Sequence, residues 1–85
     1  MVVKNERGTF YYNELEEYHR EDGPAAVWNI GVKIWWINNE KHREDGPAVE
    51  YDDGTKVWYL NDIRYTEEEY HQELIKIKLE RLKNL

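Results

Sequence analysis

The chain has 85 residues, no cysteine and a formal net charge of −6, from 12 basic and 18 acidic side chains. This length fits one small domain, and the lack of thiols excludes disulfides and thiolate metal sites and favours a reducing compartment. The acidic balance disfavours binding to a phosphate backbone, which needs a concentrated basic patch. Because no apolar run approaches about 20 residues and no secretory signal is visible, we expect a cytoplasmic protein that does not contact membranes.

The main feature of the sequence is a heptad, HREDGPA, that occurs twice. Residues 19–25 (the first heptad) return unchanged as residues 42–48 (the second heptad). The similarity continues beyond them, because Gly31, Lys33, Trp35 and Asn38 recur at the same offset as Gly54, Lys56, Trp58 and Asn61. Such a fixed period indicates a repeat architecture.

In chain order, the first predicted element is a strand over residues 9–12, which are β-branched or aromatic. We interpret residues 9–18 as a diverged half repeat that caps the array. Its turn at residues 13–17 is predicted to be about two residues longer than the equivalent turn at residues 38–41.

Two full repeats follow, over residues 19–41 and 42–65. Each begins with a Gly-Pro turn and continues into a β-hairpin, with strands predicted at the positions that alternate between apolar and polar residues. Gly54 follows an aspartate, which is a strong hairpin signal, whereas Gly31 follows Ile30 and predicts an exposed apolar tip. The predicted strands cover residues 25–29, 32–37, 48–52 and 55–60.

Both faces of the two return strands are apolar. Side chains alternate along a strand, so one face carries Trp35 and Trp58, and the other is expected to carry the residues between them. One face should pack on the core, and the other should be covered by the C-terminal helix, by a second subunit or by a partner. The residues of the second face are Ile34, Trp36, Val57 and Tyr59.

A helix over residues 67–83 is predicted by a capping box, with Thr66 at the N-cap and Glu69 three residues later. Its apolar residues form two adjacent rows, Tyr70, Leu74 and Ile77, and Ile75, Leu79 and Leu82. The helix is expected to cap the sheet; the alternative is a helix that dimerises or docks into a partner.

Together these elements predict an α+β fold that is mostly β: an antiparallel meander of β-hairpin repeats, with about five or six short strands, closed by one C-terminal α-helix. We predict a single domain over residues 1–85, with the helical segment at residues 66–84.

The heptad, followed by a hairpin that ends in two aromatic residues, one aliphatic residue and Asn (residues 35–38 and 58–61), resembles a known repeat. It is similar to short MORN-like repeats of the HR-x-DGPA type, which occur in phages and large DNA viruses and are related to MORN-repeat antitoxin-like proteins. The resemblance covers about residues 18–65 and implies a β-hairpin array used for binding, without shared catalytic residues. It would place the protein in the host cytoplasm.

The two heptads raise a chemical alternative, because His19, Asp22, His42 and Asp45 are residue types that bind divalent metals or transfer protons. We favour a structural role, since the cluster is repeated with its turn residues, whereas an active site needs one copy. We expect the arginines to pair with carboxylates or turn carbonyls, and the histidines to hydrogen-bond across stacked turns. The predicted structural set is His19, Arg20, Asp22, Gly23, Pro24 and Trp35, with His42, Arg43, Asp45, Gly46, Pro47 and Trp58.

No catalytic, metal-binding or cofactor-binding residue is predicted, and we interpret the chain as a non-enzymatic protein-binding module, such as a small phage protein that engages or inhibits a host protein. One alternative is a nucleic-acid-related protein, either a single-strand binder or an acidic mimic. Another is a self-assembling protein, since two full repeats are few for an isolated array and a homodimer would add to them. The predicted partner contacts are Ile30, Ile34, Trp36, Val57, Tyr59, Tyr70 and Leu74.

Overall fold

A computed structural model describes residues 1–84, in which nine β-strands precede one α-helix. The strands are antiparallel, and seven of them form one sheet in the order β1-β2-β3-β4-β7-β8-β9, while β5 and β6 pair with each other. The predicted α+β class, mostly β with a C-terminal helix, is confirmed. The strands are β1 Val2–Asn5, β2 Gly8–Tyr11, β3 Ala26–Trp28, β4 Lys33–Ile34, β5 Trp36–Ile37, β6 Glu40–Lys41, β7 Val49–Glu50, β8 Lys56–Leu60 and β9 Ile63–Tyr65, and the helix is α1 Glu67–Lys83.

The first hairpin of each repeat has a three-residue loop closed by a glycine. The Trp28 N–H donates to the Val32 carbonyl, and the Tyr51 N–H donates to the Thr55 carbonyl, both at 2.9 Å. The last loop residue has a positive φ, +93° at Gly31 and +88° at Gly54, which glycine adopts without a steric penalty. Both repeats therefore build the same loop although their other loop residues differ.

The second hairpin of each repeat turns through two residues with positive φ. These are Asn38 (46°) and Asn39 (66°) in the first repeat, and Asn61 (50°) and Asp62 (69°) in the second. A two-residue loop of this kind requires the left-handed conformation at both positions, and Asn and Asp tolerate it better than other non-glycine residues.

The return strand predicted over residues 32–37 is interrupted at Trp35, which lies between β4 and β5. The Trp35 N–H donates to the Ala48 carbonyl at 2.7 Å, and its carbonyl accepts from the His42 N–H at 3.1 Å. Both main-chain groups of Trp35 thus bond to the second repeat. The strand leaves its hairpin partner at this residue and pairs further along with β6.

The prediction of five or six strands was too low, because β1, β6 and β9 are additional and the strand predicted over residues 32–37 is divided into β4 and β5. The additional strands are only two to four residues long, which is too short for an alternating apolar pattern to identify a strand. The turn of the half repeat is also shorter than predicted. The His19 N–H bonds to the Tyr11 carbonyl and the His42 N–H to the Trp35 carbonyl, so the half repeat is only one residue longer.

The helix packs on the end of the sheet. Its capping box is complete, with the Glu69 N–H donating to the Thr66 hydroxyl and the Thr66 N–H donating to the Glu69 carboxylate. Tyr70 and Leu74 form a core cluster with Leu60, surrounded by half-buried Trp58, Tyr65 and Ile77. Within residues 1–84, no helix has the length and apolar character needed to cross a membrane.

Candidate functional site

Each heptad is held by a pair of bonds from its arginine. The Nε–H of Arg20 donates to Asp22 at 2.9 Å, and Arg43 makes the same bond to Asp45 at 2.9 Å. A second guanidinium N–H reaches the proline carbonyl of the same heptad, at 3.3 Å in the first and 3.0 Å in the second. The Arg20 guanidinium also lowers the pKa of the Asp22 carboxyl. The prediction that the arginines bind carboxylates and turn carbonyls is confirmed.

The histidines join each heptad to the following hairpin turn. His19 Nδ1 accepts from the Asn38 N–H at 3.0 Å, and His42 Nδ1 accepts from the Asn61 N–H at 2.9 Å. The histidines were predicted to hydrogen-bond across stacked turns, and each one bonds to the second hairpin turn of its own repeat. Within residues 1–84, no three His, Cys, Asp or Glu side chains converge in a way that would hold a metal ion.

Three rings on the helix side of the sheet are each covered by a side chain from the next unit. The Arg20 guanidinium lies 4.0 Å from the centre of the Tyr11 ring, and Arg43 lies 3.8 Å from the nearest ring centre of Trp35. At the third such position, Tyr70 of the helix packs 4.8 Å from Trp58. The helix therefore occupies the place that a third heptad would take.

Tyr70 and Leu74, predicted to contact a partner, are instead buried, with exposed fractions of 1% and 8%. The Tyr70 hydroxyl donates to the Arg43 carbonyl at 2.6 Å, and burial raises the pKa of this phenol. The sequence pattern left open which apolar row of the helix would face the sheet. Packing on Leu60 selects the row of Tyr70, so these residues belong to the core.

The opposite side of the sheet carries a continuous row of aromatic rings, which we call the aromatic face. Tyr18 stacks on Tyr12, with centroids 5.1 Å apart, and on Trp36, at 5.4 Å. The Lys41 ammonium lies 5.5 Å from the Trp36 ring and 4.7 Å from the Tyr59 ring, so it links the two repeats. All five side chains are half-buried. Because Tyr59 lies between Trp58 and Leu60 on β8, its side chain points away from the helix.

An apolar row runs across the strands beside these rings on the same face. Its members lie opposite one another in the register of the sheet, so their side chains share one face. Phe10, Ala26 and Val49 are buried. The predicted contact Ile34 is half-buried between Ala26 and Val49, and the predicted contact Val57 is half-buried beyond Val49. The row is Phe10, Ala26, Ile34, Val49 and Val57.

The structure brings four of the seven predicted contact residues to one face, namely Ile34, Trp36, Val57 and Tyr59. Ile30 stands apart at the tip of the first hairpin, where it is 75% exposed. Sequence analysis missed Tyr12, Tyr18 and Lys41 as members of the aromatic face. Tyr18 and Lys41 directly precede the two heptads, and this shared position would have identified them as equivalent.

Comparison of the chain with protein-family models, curated proteins and solved structures finds no match.

Proposed function

We propose that the chain is a non-catalytic protein-binding module that contacts its partner through the aromatic face. The observation that carries this proposal is the stacked row of Tyr12, Tyr18, Trp36, Lys41 and Tyr59, which is half-buried on the side of the sheet that the helix leaves uncovered. Trp and Tyr dominate the energetic centres of protein interfaces because they bury a large area while losing little rotamer freedom.

The rings of the aromatic face are already ordered before any partner binds. Tyr18 contacts a ring on each side, with interplanar angles of 23° and 24°. Stacked neighbours restrict the rotamers of one another, so little side-chain entropy remains to be lost on association. A rigid surface of this kind suits a protein partner whose contacting side chains are complementary in shape.

The same stacking argues against the nucleic-acid alternative. A single-strand binder needs free ring faces on which bases stack. Here the faces of Tyr18 lie against Tyr12 and Trp36, and Lys41 lies over a face of Trp36 and of Tyr59. The central rings of the row are therefore already stacked on other members, and the net charge of −6 adds repulsion toward phosphates.

The resemblance to repeat proteins of phages and large DNA viruses favours a host protein as the partner, which the chain would engage or inhibit in the host cytoplasm. In this proposal the heptads are scaffolding. Their arginine, histidine and aspartate side chains are already bonded within the repeats, and no step of a reaction is assigned to them.

The experiment compares variants on the two faces of the molecule. Immobilised wild type, Tyr59→Ala, Lys41→Glu and the control Ile75→Ala are exposed to a host lysate, and a retained protein is identified and purified. Ile75 is 59% exposed on the helix, on the other side of the molecule from the aromatic face. The dissociation constant of the purified pair is then measured by calorimetry.

We expect Tyr59→Ala and Lys41→Glu to weaken binding by about tenfold or more, whereas Ile75→Ala leaves it unchanged. Far-ultraviolet circular dichroism verifies that each variant is folded. Equal affinity of all four proteins, or a loss confined to Ile75→Ala, would reject the aromatic face as the contact surface.

A further inference from the structure

The first strand of the sheet has an open edge. Within residues 1–84, β1 pairs with β2 on one side, and no strand pairs with its other side. Met1 and Tyr12 exchange a pair of main-chain hydrogen bonds across β1 and β2, through the Met1 amino group and carbonyl. In an antiparallel ladder such bonded positions recur at every second residue. Val3 and Asn5 therefore bond toward β2, while the N–H and C=O groups of Val2 and Lys4 point outward.

Exposed apolar side chains gather at this edge. Met1 is 67% exposed, Val2 is 50% exposed and Leu15 is 78% exposed. Met1 and Leu15 line the same depression, of about 710 Å³, beside the start of β1. An unpaired strand with apolar side chains on its border is a template for pairing with another extended chain.

We propose that this edge pairs with β1 of a second copy of the chain, antiparallel and centred on Val3. In this register the outward-facing Val2 of one copy lies opposite the second copy's Lys4, and each such pair exchanges two main-chain hydrogen bonds. The two Val3 side chains meet at the two-fold axis. In this arrangement the outward N–H and C=O groups of Val2 and of Lys4 all bond to outward main-chain groups of the second copy.

Charge selects this register over its neighbours. In the next register that pairs outward main-chain groups, shifted toward the C-terminal ends of both strands, Lys4 would lie opposite the second copy's Lys4. Like charges directly opposite each other are destabilising. In the next register in the other direction, Val2 would lie opposite the second copy's Val2, and Lys4 would not pair with a residue of the second copy's β1. The register centred on Val3 keeps both pairs and sets the Lys4 stem against an exposed valine.

The pairing also extends the aromatic face. Val3 lies opposite Phe10 in the register of β1 and β2, so it belongs to the same apolar row as Ala26, Ile34 and Val49. Opposite residues of an antiparallel pair share a face. The apolar rows of the two copies would therefore join through Val3, with both aromatic faces on one side and both helices on the other. A partner that is itself symmetric or repeated would meet two binding surfaces.

Engineered cysteines test the register without interference, because the chain has no cysteine of its own. Opposite residues at a non-hydrogen-bonded antiparallel position have Cα atoms about 4.5 Å apart, within the range that a disulfide spans. We expect Val3→Cys to form a covalent dimer rapidly under mild oxidation with glutathione. Lys4→Cys serves as the matched control and should not, since its opposite residue is Val2.

The association itself is measured by sedimentation equilibrium. Wild type is expected to show a monomer–dimer equilibrium, and Lys4→Pro to weaken it by about tenfold or more, because proline removes an outward N–H and none of the bonds to β2. Lys4→Thr keeps that N–H and should still dimerise. Thermal unfolding of Lys4→Pro verifies that its sheet is intact.

Three results would overturn the proposal. They are a wild type that stays monomeric to about 1 mM, a covalent dimer from Lys4→Cys in place of Val3→Cys, and equal association of the folded proline and threonine variants. None of these measurements involves the proposed partner of the aromatic face, so the two proposals stand or fall separately.

Discussion

The two heptads are identical in sequence but occupy different surroundings. In the first, the Glu21 side chain is 85% exposed and lies 4.0 Å from His19. In the second, the side chain of the equivalent Glu44 is 28% exposed and lies 2.8 Å from His42. It also accepts hydrogen bonds from both terminal guanidinium nitrogens of Arg81, at 2.6 and 2.5 Å. The arginine bonds inside each heptad are nearly the same, whereas the histidine–glutamate contact and the bonds to neighbouring elements differ. The seven residues of a heptad therefore fix its arginine bonds, whereas the helix supplies the additional bonds to Glu44 of the second heptad.

The largest difference in unfolding free energy between the two repeats is expected for substitutions of Leu60 and its equivalent Ile37. Leu60 is 1% exposed in the helix cluster, whereas its equivalent Ile37 is half-buried. Leu60→Ala should lower the free energy of unfolding by about 2–5 kcal/mol because it leaves a cavity beneath the helix. Ile37→Ala should cost clearly less. Urea denaturation measures both, and equal losses would mean that the helix adds no packing to the second repeat.

A smaller difference in unfolding free energy is expected between substitutions of the two heptad arginines. Arg43 binds Asp45 and the Pro47 carbonyl, as Arg20 does in its own heptad, but it also binds Glu50 at 3.0 Å. Arg43→Ala should therefore destabilise by about 2–3 kcal/mol and Arg20→Ala by about 1–2 kcal/mol. Thermal unfolding in parallel provides the comparison. If Arg20→Ala proved the costlier change, the bond to Glu50 would have no stabilising role.

The hydroxyl of Tyr70 isolates one contact between the helix and the second heptad. Tyr70→Phe keeps the ring in the core but removes the donor to the Arg43 carbonyl. We expect a loss of about 1 kcal/mol, typical of one buried hydrogen bond. Urea denaturation at pH 7 tests this, with Tyr51→Phe as control, because Tyr51 is 46% exposed. A loss shared by the control would assign the effect to phenylalanine itself.

An effect of similar size concerns Glu44 and depends on pH. Hydrogen bonds from Arg81 lower the pKa of the Glu44 carboxyl from 4.5 to about 2. A carboxyl with a lower pKa in the folded state adds stability above pH 4.5, and this stability is lost as the pH falls toward 2. At pH 6, Glu44→Gln should cost about 1 kcal/mol, the upper range for a solvent-accessible ion pair.

The difference in unfolding free energy between wild type and Glu44→Gln should shrink between pH 4.5 and pH 2. Glu21→Gln provides the matched control in the first heptad and should leave stability unchanged at every pH. A pH-independent difference for Glu44→Gln would show that its carboxylate is not held by Arg81.

Much of the fold could be predicted from local signals. The capping box at Thr66, the glycine-closed loops at Gly31 and Gly54, and the turn at each heptad all rest on residues close in sequence. The repeat predicted that both histidines would bond across turns, and the structure supplied their partners, the N–H groups of Asn38 and Asn61. These features depend on residues close in sequence or occur twice in the chain, and for this reason the sequence predicted them.

The candidate site was only partly predictable. Alternation placed Trp36 and Tyr59 on one face, but Tyr12, Tyr18 and Lys41 join them through pairings between strands. The sequence held one sign of this, the shared position of Tyr18 and Lys41 directly before the two heptads. The burial of Tyr70 and Leu74 was likewise undetermined, since the helix carries two apolar rows and either could face the sheet. The choice between the rows came from packing.

By itself, the sequence determined the elements whose geometry depends on near neighbours: the two heptads, their loops and the terminal helix. Only the tertiary structure decided how these elements meet. It interrupted the return strand at Trp35, whose main chain bonds to the second repeat, and it covered one heptad with the helix. The physical reason is that main-chain hydrogen bonds and apolar burial are satisfied by whichever distant groups lie opposite, and identical sequences meet different neighbours at the two ends of an array.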